Sequence, residues 1–116
     1  MSYMALFAAG SPQLIGDGQV KAAANAFLGK SCNGICRGEW PGQVFVMTHT
    51  DSVEASRNGM ALSRMRAQSV KRMLVEMGVP EDRVVTLTFT DQKPLAKNAP
   101  AETNRRVEIS FQVPRN

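Results

Sequence analysis

Several residue types and patterns are rare or absent in this chain of 116 residues, and each absence excludes a class of protein. One histidine and two cysteines fall short of the roughly four ligands that a closed zinc site requires. No apolar stretch approaches the ~18–20 residues that cross a bilayer, and neither a glycine period nor a long heptad run occurs. Aromatic residues make up only 6%, too few to favour a surface on which nucleic-acid bases stack. We therefore expect no metal, no cofactor, no nucleic acid and no membrane contact from this chain itself.

The composition is that of an ordinary globular domain. Hydrophobic residues make up 43% and charged residues 21%, which argues against disorder, and the length fits a single domain over residues 1–116. Segments at about 30–42 and 90–103 are predicted to be flexible loops. The formal net charge of +4 favours acidic partners such as nucleic acid, anionic lipid or a polymer that carries carboxylates, although no run of lysine and arginine marks a nucleic-acid tail.

The two cysteines, Cys32 and Cys36, are separated by three residues within the first of these loops. This spacing, with a glycine between them, predicts a small disulfide and therefore an oxidising compartment; two reduced thiols are the alternative. The apolar residues 4–9 lack the basic start of a signal peptide. If the protein works outside the cytoplasm, its export or anchoring segment is expected upstream of this sequence.

Hydrophobic periodicity predicts the order of strands and helices. Strands are predicted over residues 3–9, 43–49, 83–89 and 107–113, and helices over 13–28 and 57–77. The near-continuous apolar run at 43–49 predicts a central strand that is covered on both faces. The second helix is expected to stop at Gly78, with Pro80 blocking its continuation. The order β-α-β-α-β-β predicts an α/β domain (an α+β sandwich) with a mixed sheet and both helices packed on one face.

One acidic and one basic residue are predicted to line the same crevice. Asp51 follows the second strand, and Arg66 lies in the third turn of the helix after it. Ligands of α/β domains tend to bind outside the carboxyl ends of strands, so this pair would form a site with two opposite charges. The matching ligand is a zwitterion, such as the end of an amino acid with a free amine and a free acid. The alternative is a simple ion pair between Asp51 and Arg66, which contributes only ~0–1 kcal/mol when exposed.

Three segments carry a resemblance to a known family. Residues 46–51 (VMTHTD), 62–67 (LSRMRA) and 104–108 (NRRVE) are similar, in order and spacing, to the signature blocks of the OmpA-like C-terminal domain. The resemblance covers nearly the whole chain and implies that family's fold and its non-covalent binding of peptidoglycan. It also implies that Asp51 holds the ammonium of diaminopimelate in the stem peptide, and that Arg66 holds its carboxylate.

Other residues are candidates for the same site. Thr50 and Asn58 could hydrogen-bond the ligand, or instead cap the long helix and shape its entry loop. Arg105 or Arg106 could reach a carboxylate of the glycopeptide, and we select Arg105. No serine near His49 lies in a recognisable nucleophile motif, so we expect no enzyme activity.

The resemblance implies a non-catalytic domain of the periplasm that anchors a larger envelope protein to the cell wall. Its expected partners are peptidoglycan and other envelope proteins, and an upstream segment would tether it to the outer or inner membrane. Thr48, Ala8 and Gly59 depart from the family's pattern. These departures leave an alternative open: a degenerate domain that serves as a protein–protein interaction module in an envelope or secretion complex without binding peptidoglycan.

Overall fold

The computed structural model describes residues 2–32, 42–90 and 101–112. Its strands are β1 (Ser2–Leu6), β2 (Gln43–Thr48), β3 (Val84–Thr88) and β4 (Arg106–Gln112). Its helices are α1 (Gly18–Cys32), α2 (Ser52–Ser56), α3 (Gly59–Glu76) and α4 (Ala101–Asn104), with a short 3₁₀ turn at Glu81–Arg83. None of the described helices is long and apolar enough to cross a bilayer. The order of the strands and of the long helices α1 and α3 confirms the predicted β-α-β-α-β-β pattern.

The described strands form one mixed sheet in the order β1-β4-β2-β3. Strand β4 lies between β1 and β2 and is antiparallel to both, whereas β2 and β3 run parallel. Parallel neighbours need a crossover connection, which α3 supplies. The end of β2 lies beside the start of β4, where Thr48 pairs with Val107. Residues that follow β2 therefore meet residues that precede β4, and this brings Asp51 close to Arg105.

The hydrophobic core lies between the sheet and the two long helices. Helix α1 packs on β1 and β4, α3 packs on β2 and β3, and the two helices contact each other. The core side chains include Val20, Ala23, Ala24 and Phe27 of α1, Val70 and Leu74 of α3, and Val44, Val46, Val107 and Ile109 of the strands. Both long helices therefore cover the same face of the sheet, as the sequence predicts.

Within the described part of the chain, helices cover only one face of the central strand β2. Val44, Val46 and Thr48 are buried, whereas Phe45 and Met47 between them are only partly buried. The prediction of cover on both faces is wrong, because α1 and α3 lie on the same side of the sheet. The strand alternates between buried and partly buried positions although its sequence is almost continuously apolar.

Helix α1 begins at Gly18 rather than at Gln13. The preceding residues pair with the end of β1: the amide of Ala8 donates to the carbonyl of Gln13, and the amide of Ile15 donates to the carbonyl of Leu6. Gly16 and Gly18 are poor helix formers. Residues 13–15 therefore pair with the backbone around the end of β1 instead of forming the first helical turn that the apolar pattern predicts. The segment between β1 and α1 is thereby held against the sheet, where part of it lines a surface cavity.

Parts of the two predicted loops lie outside the described residues, at 33–41 and 91–100. Helix α1 continues into the start of the first predicted loop, to Cys32, and α4 (Ala101–Asn104) occupies the end of the second. The predicted disulfide between Cys32 and Cys36 receives no support from the structure, because Cys36 lies outside the described residues. The pairing remains a prediction.

Leu74 provides a test of the core packing, since its side chain is fully buried in the cluster between α3 and the sheet. Leu74→Ala is expected to lower the free energy of unfolding by about 2–5 kcal/mol, because it removes apolar contacts and leaves a cavity. Val75→Ala, on the exposed side of the same helix, should change it by about 0.5 kcal/mol or less. Urea unfolding followed by circular dichroism measures both values. Equal losses would contradict this assignment of the core.

Candidate functional site

A surface cavity of about 650 Å³ lies just beyond the carboxyl end of β2. It is formed by the segment after β1, by α2, by the first turns of α3 and by the residue that precedes β4. Its charged and polar lining residues are Asp51, Glu54, Arg57, Asn58 and Arg105. Val53, Leu62 and Met65 are among its apolar lining residues. The cavity therefore combines an apolar wall with charges of both signs.

Asp51 begins α2 as its N-cap residue. Its Oδ1 atom accepts a hydrogen bond from the amide of Glu54 at 2.7 Å. In return, the Oε1 atom of Glu54 accepts a hydrogen bond from the amide of Asp51 at 3.1 Å. This reciprocal capping box lets α2 begin directly after the sheet, and it fixes the carboxylate of Asp51 at the cavity.

The second carboxylate oxygen of Asp51 contacts Arg105. Oδ2 accepts a hydrogen bond from Nη1 of Arg105 at 3.0 Å, and the two side chains are 6% and 18% exposed. The Nε atom of Arg105 is buried and has no hydrogen-bond partner within the described part of the chain. Each carboxylate oxygen has two lone pairs, so Asp51 can still accept from a further donor. The cavity thus offers a carboxylate and a guanidinium that are in contact and can each take another polar partner.

A second ion pair joins Glu54, which lines the cavity, to Arg66, which lies behind it. Nη1 and Nη2 of Arg66 donate to Oε1 and Oε2 of Glu54 at 2.9 and 2.6 Å. The side chain of Arg66 is 0% exposed and that of Glu54 is 7% exposed. Oε2 also accepts from the amide of Gly10 at 2.7 Å. With the amide of Asp51, these donors give the Glu54 carboxylate four hydrogen bonds, which fills its lone-pair sites.

The guanidinium of Arg66 has no donor left for a ligand. Besides its two bonds to Glu54, it donates to the carbonyls of Ser11, His49 and Ala8 at 3.0, 3.1 and 3.2 Å. These bonds account for all five N–H groups that an arginine side chain carries. Arg66 therefore joins α3 to α2, to the end of β2 and to the segment after β1.

The structure separates the two charges that the sequence placed in one pair. Asp51 lines the cavity, whereas Arg66 is buried behind it and bonded to Glu54. Asp51 is bonded to Arg105, so the alternative of a simple ion pair between Asp51 and Arg66 is not observed either. The cationic groups at the cavity are Arg105 and, exposed at its edge, Arg57.

Thr50 and Asn58 take different places at the site. Thr50 is fully buried, and its hydroxyl has no hydrogen-bond partner among the described residues. Asn58 is exposed, lines the cavity and has a φ of 120°, and positive φ values are more common for asparagine than for most other residues. Although Asn58 precedes α3, its side chain makes no hydrogen bond that caps the helix. The side-chain cap at this end of the cavity comes from Asp51, on α2.

The three residues that depart from the family's pattern act behind the cavity wall. The hydroxyl of Thr48 donates to the carbonyl of Ser63 at 2.8 Å and joins α3 to β2. A Cβ atom at Gly59 would come within 3.1 Å of the Thr50 hydroxyl, so glycine permits the close approach of α3. Ala8 contributes its carbonyl to Arg66. Thr48 and Gly59 thus affect how closely α3 packs on neighbouring segments, and neither lines the cavity.

Glu54 is the site residue that the sequence analysis missed. It lies three residues after Asp51, and this spacing is typical of a capping box. The spacing could therefore have revealed its bond to Asp51. It could not have revealed the bond to Arg66, because that contact depends on how α2 packs against α3.

Comparison with known proteins identifies the family. The model of the OmpA family matches residues 6–108, and this chain belongs to that family. The sodium-type flagellar protein MotY of Vibrio parahaemolyticus is 36% identical over 71 residues, which cover 59% of this chain and 24% of that protein. The peptidoglycan-associated lipoprotein of Buchnera aphidicola is 33% identical over 73 residues, which cover 60% of this chain and 42% of that protein. The chain thus spans less than half the length of these relatives.

Solved structures share the fold. The peptidoglycan-associated lipoprotein from Burkholderia pseudomallei superposes with a TM-score of 0.75 at 21% identity, covering 95% of this chain and 90% of that chain. The cell wall anchor of the T6SS from Pseudomonas aeruginosa superposes with a TM-score of 0.67 at 29% identity, covering 93% of this chain and 74% of that chain. The resemblance to the OmpA-like domain and the predicted fold class are confirmed.

Arg66→Ala tests whether the buried ion pair stabilises the fold. The substitution leaves Glu54 as a nearly buried carboxylate without its counter-charge, so the free energy of unfolding should fall by about 3–5 kcal/mol. Arg64→Ala, at an exposed position of the same helix, should change it by about 0.5 kcal/mol or less. Urea unfolding of the two variants gives the comparison. An Arg66→Ala protein as stable as Arg64→Ala would contradict the structural role of this arginine.

Proposed function

We propose that this domain binds cell-wall peptidoglycan without catalysis and anchors a larger envelope protein to the wall. Support comes from its membership of the OmpA family, and from relatives named as a peptidoglycan-associated lipoprotein and a cell wall anchor. We place the domain in the periplasm, tethered to the outer or inner membrane through a segment outside this sequence. Other envelope proteins are proposed as further partners.

The observation that carries the proposal is the contact between Asp51 and Arg105 at the cavity. The free end of diaminopimelate in the stem peptide bears an ammonium and a carboxylate on one carbon. The ammonium donates to Asp51 and the carboxylate accepts from Arg105. Asp51 thus exchanges one positive partner for another, and Arg105 exchanges one negative partner for another. No charge is left unpaired by this exchange, which avoids the main cost of breaking a shielded ion pair.

Asn58 and Arg66 have different roles in this proposal. Asn58 lines the same cavity and offers an amide that can both donate to and accept from the peptide. Arg66 acts on the ligand indirectly, because it holds Glu54 and the segment after β1 in place. Thr50 is buried beside Gly59 at the start of α3 and does not line the cavity, so it has no direct contact with the ligand in this proposal.

A protein–protein interaction module that does not bind peptidoglycan is the second candidate function. It is favoured by the saturated guanidinium of Arg66 and by two exposed apolar side chains of the cavity wall, Val53 at 59% and Met65 at 55%. Apolar surface beside charged groups is common where proteins bind one another. Sedimentation of the unaltered domain with purified sacculi separates the two candidates, because the second expects no retention.

Asp51→Asn tests the ammonium-binding role while preserving the helix cap, since asparagine is as good an N-cap as aspartate. Loss of a charge-assisted hydrogen bond should weaken retention on sacculi by roughly 10- to 100-fold. Because Arg105 also loses its counter-charge, the free energy of unfolding should fall by about 1–3 kcal/mol, and circular dichroism checks that the variant remains folded. Asp17→Asn makes the same charge change at an exposed pair with Lys21 and should bind like the unaltered domain. Equal retention of both variants would contradict the role of Asp51.

Arg105→Gln tests the carboxylate-binding role. Sacculi whose stem peptides carry lysine in place of diaminopimelate keep the side-chain ammonium but lack the adjoining carboxylate. The unaltered domain should prefer the diaminopimelate form by about tenfold, and Arg105→Gln should bind both forms with the weaker affinity. Arg83→Gln, at the opposite end of the sheet, is the control and should retain the preference. A preference that survives in Arg105→Gln would exclude this arginine as the carboxylate partner.

A further inference from the structure

Glu54 separates the cavity from Arg66. The two side chains are in contact, yet Glu54 lines the cavity and Arg66 does not. A carboxylate in the cavity could reach the guanidinium only if the side chain of Glu54 moved away. Glu54 therefore decides whether a ligand can meet Arg66 as well as Arg105, which already lines the cavity.

The groups that hold the Glu54 carboxylate have the chemistry of an anion-binding site. Arg66 presents two parallel N–H donors to its two oxygens, and the backbone amide of Gly10 donates to Oε2. Bidentate contact with a planar carboxylate is the strongest arrangement that arginine offers. A site of this kind would bind a free carboxylate if Glu54 did not already supply one.

The arginine side of this site is held in place without Glu54. The three N–H groups of Arg66 that do not face Glu54 are bonded to the backbone carbonyls of Ser11, His49 and Ala8. The Cζ atom also lies 4.9 Å from the centre of the Phe7 ring, within the range of a cation–π contact. Removal of the Glu54 carboxylate should therefore leave two oriented donors facing the vacated space.

We propose that Glu54 is an internal carboxylate that occupies an anion-binding site on Arg66 and thereby sets the specificity of the cavity. With this site filled, a ligand carboxylate is left to Arg105. The assignment of the ligand carboxylate to Arg105 rests on the proposed function, whereas the occupation of the Arg66 site by Glu54 concerns the chain alone. Helix capping alone does not explain a glutamate at position 54, because glutamine would complete the capping box equally well. Glutamine, however, would leave the buried charge of Arg66 unpaired.

Glu54→Ala removes one methylene and the carboxylate, and acetate is close to the fragment removed. The thermal midpoint of the variant is measured in sodium acetate and in sodium chloride of equal ionic strength at pH 7. Acetate should raise it saturably by roughly 3–6 °C, because an ion that binds only the folded state stabilises that state. The unaltered chain, whose site is filled, should show no difference between the two salts.

Glu108→Ala is the matched control. Glu108 also accepts a hydrogen bond from an arginine, Arg106, but its side chain is 28% exposed and open to solvent. Acetate should have no specific effect on this variant. If Glu54→Ala does not fold in chloride, its refolding from urea is followed as acetate is added, and native circular dichroism should return. Absence of any acetate effect on the stability or refolding of Glu54→Ala would overturn the internal-carboxylate proposal.

The specificity part is tested by retention on diaminopimelate-containing sacculi. The double variant Glu54→Ala/Arg105→Gln should bind about tenfold more tightly than Arg105→Gln alone, since Arg66 then takes over the ligand carboxylate, and acetate should compete. If the double variant binds sacculi no more tightly than Arg105→Gln, the role of Glu54 in specificity is overturned.

The two proposals fail in different ways. Retention of the unaltered chain without acetate rescue of Glu54→Ala would reject the internal carboxylate and leave peptidoglycan binding intact. Acetate rescue with no retention of any variant would support the anion site, and would reject both peptidoglycan binding and the specificity assigned to Glu54.

Discussion

The buried guanidinium of Arg66 is the constraint on which the functional end of the domain depends. A charge removed from water costs several kcal/mol unless it is paired and hydrogen-bonded. Arg66 meets this requirement by drawing together one carboxylate and three backbone carbonyls from separate parts of the chain. The walls of the cavity are therefore positioned by the needs of a residue that does not itself line the cavity.

Sheet topology supplies the other half of the site. Because β4 is inserted between β1 and β2, its first residues lie beside the last residues of β2. Arg105 and Asp51 meet there, and the capping box links Asp51 to Glu54, which contacts Arg66. The result is a continuous row of four charged side chains, in which the two carboxylates, Asp51 and Glu54, lie between the two guanidinium groups of Arg105 and Arg66, and a change at one member alters the partners of the next. This row is close to electrically balanced, so it favours ligands that carry both charges over simple ions.

The features that sequence predicted well are those set by local chemistry. The order of strands and long helices follows from periodicity, and the end of α3 shortly before Gly78 follows from the positive φ of 111° that this glycine adopts. The predicted start of α1 at Gln13 was wrong, because the residues before Gly18 pair with the backbone at the end of β1. The prediction that β2 is covered on both faces was wrong, because a run of apolar residues does not reveal on which side of the sheet the helices pack. The bond of Asp51 to Arg105, and the bonds of Arg66 to the carbonyls of Ser11 and Ala8, were missed because these partners come from segments distant in sequence.

The surroundings of Arg66 determine what its charge can do. A motif records the type of residue at a position, but the chemistry of a charged side chain is decided by the acceptors within about 3 Å of it. In this domain a glutamate on a neighbouring short helix, Glu54, accepts two hydrogen bonds from the guanidinium of Arg66, and backbone carbonyls accept the other three. The same glutamate also supports the cavity wall, because its carboxylate and its amide both form hydrogen bonds with Asp51, the N-cap residue of α2. Under our proposal, stability and recognition are coupled through the side chain of Glu54, and a carboxylate supplied from outside would separate the two.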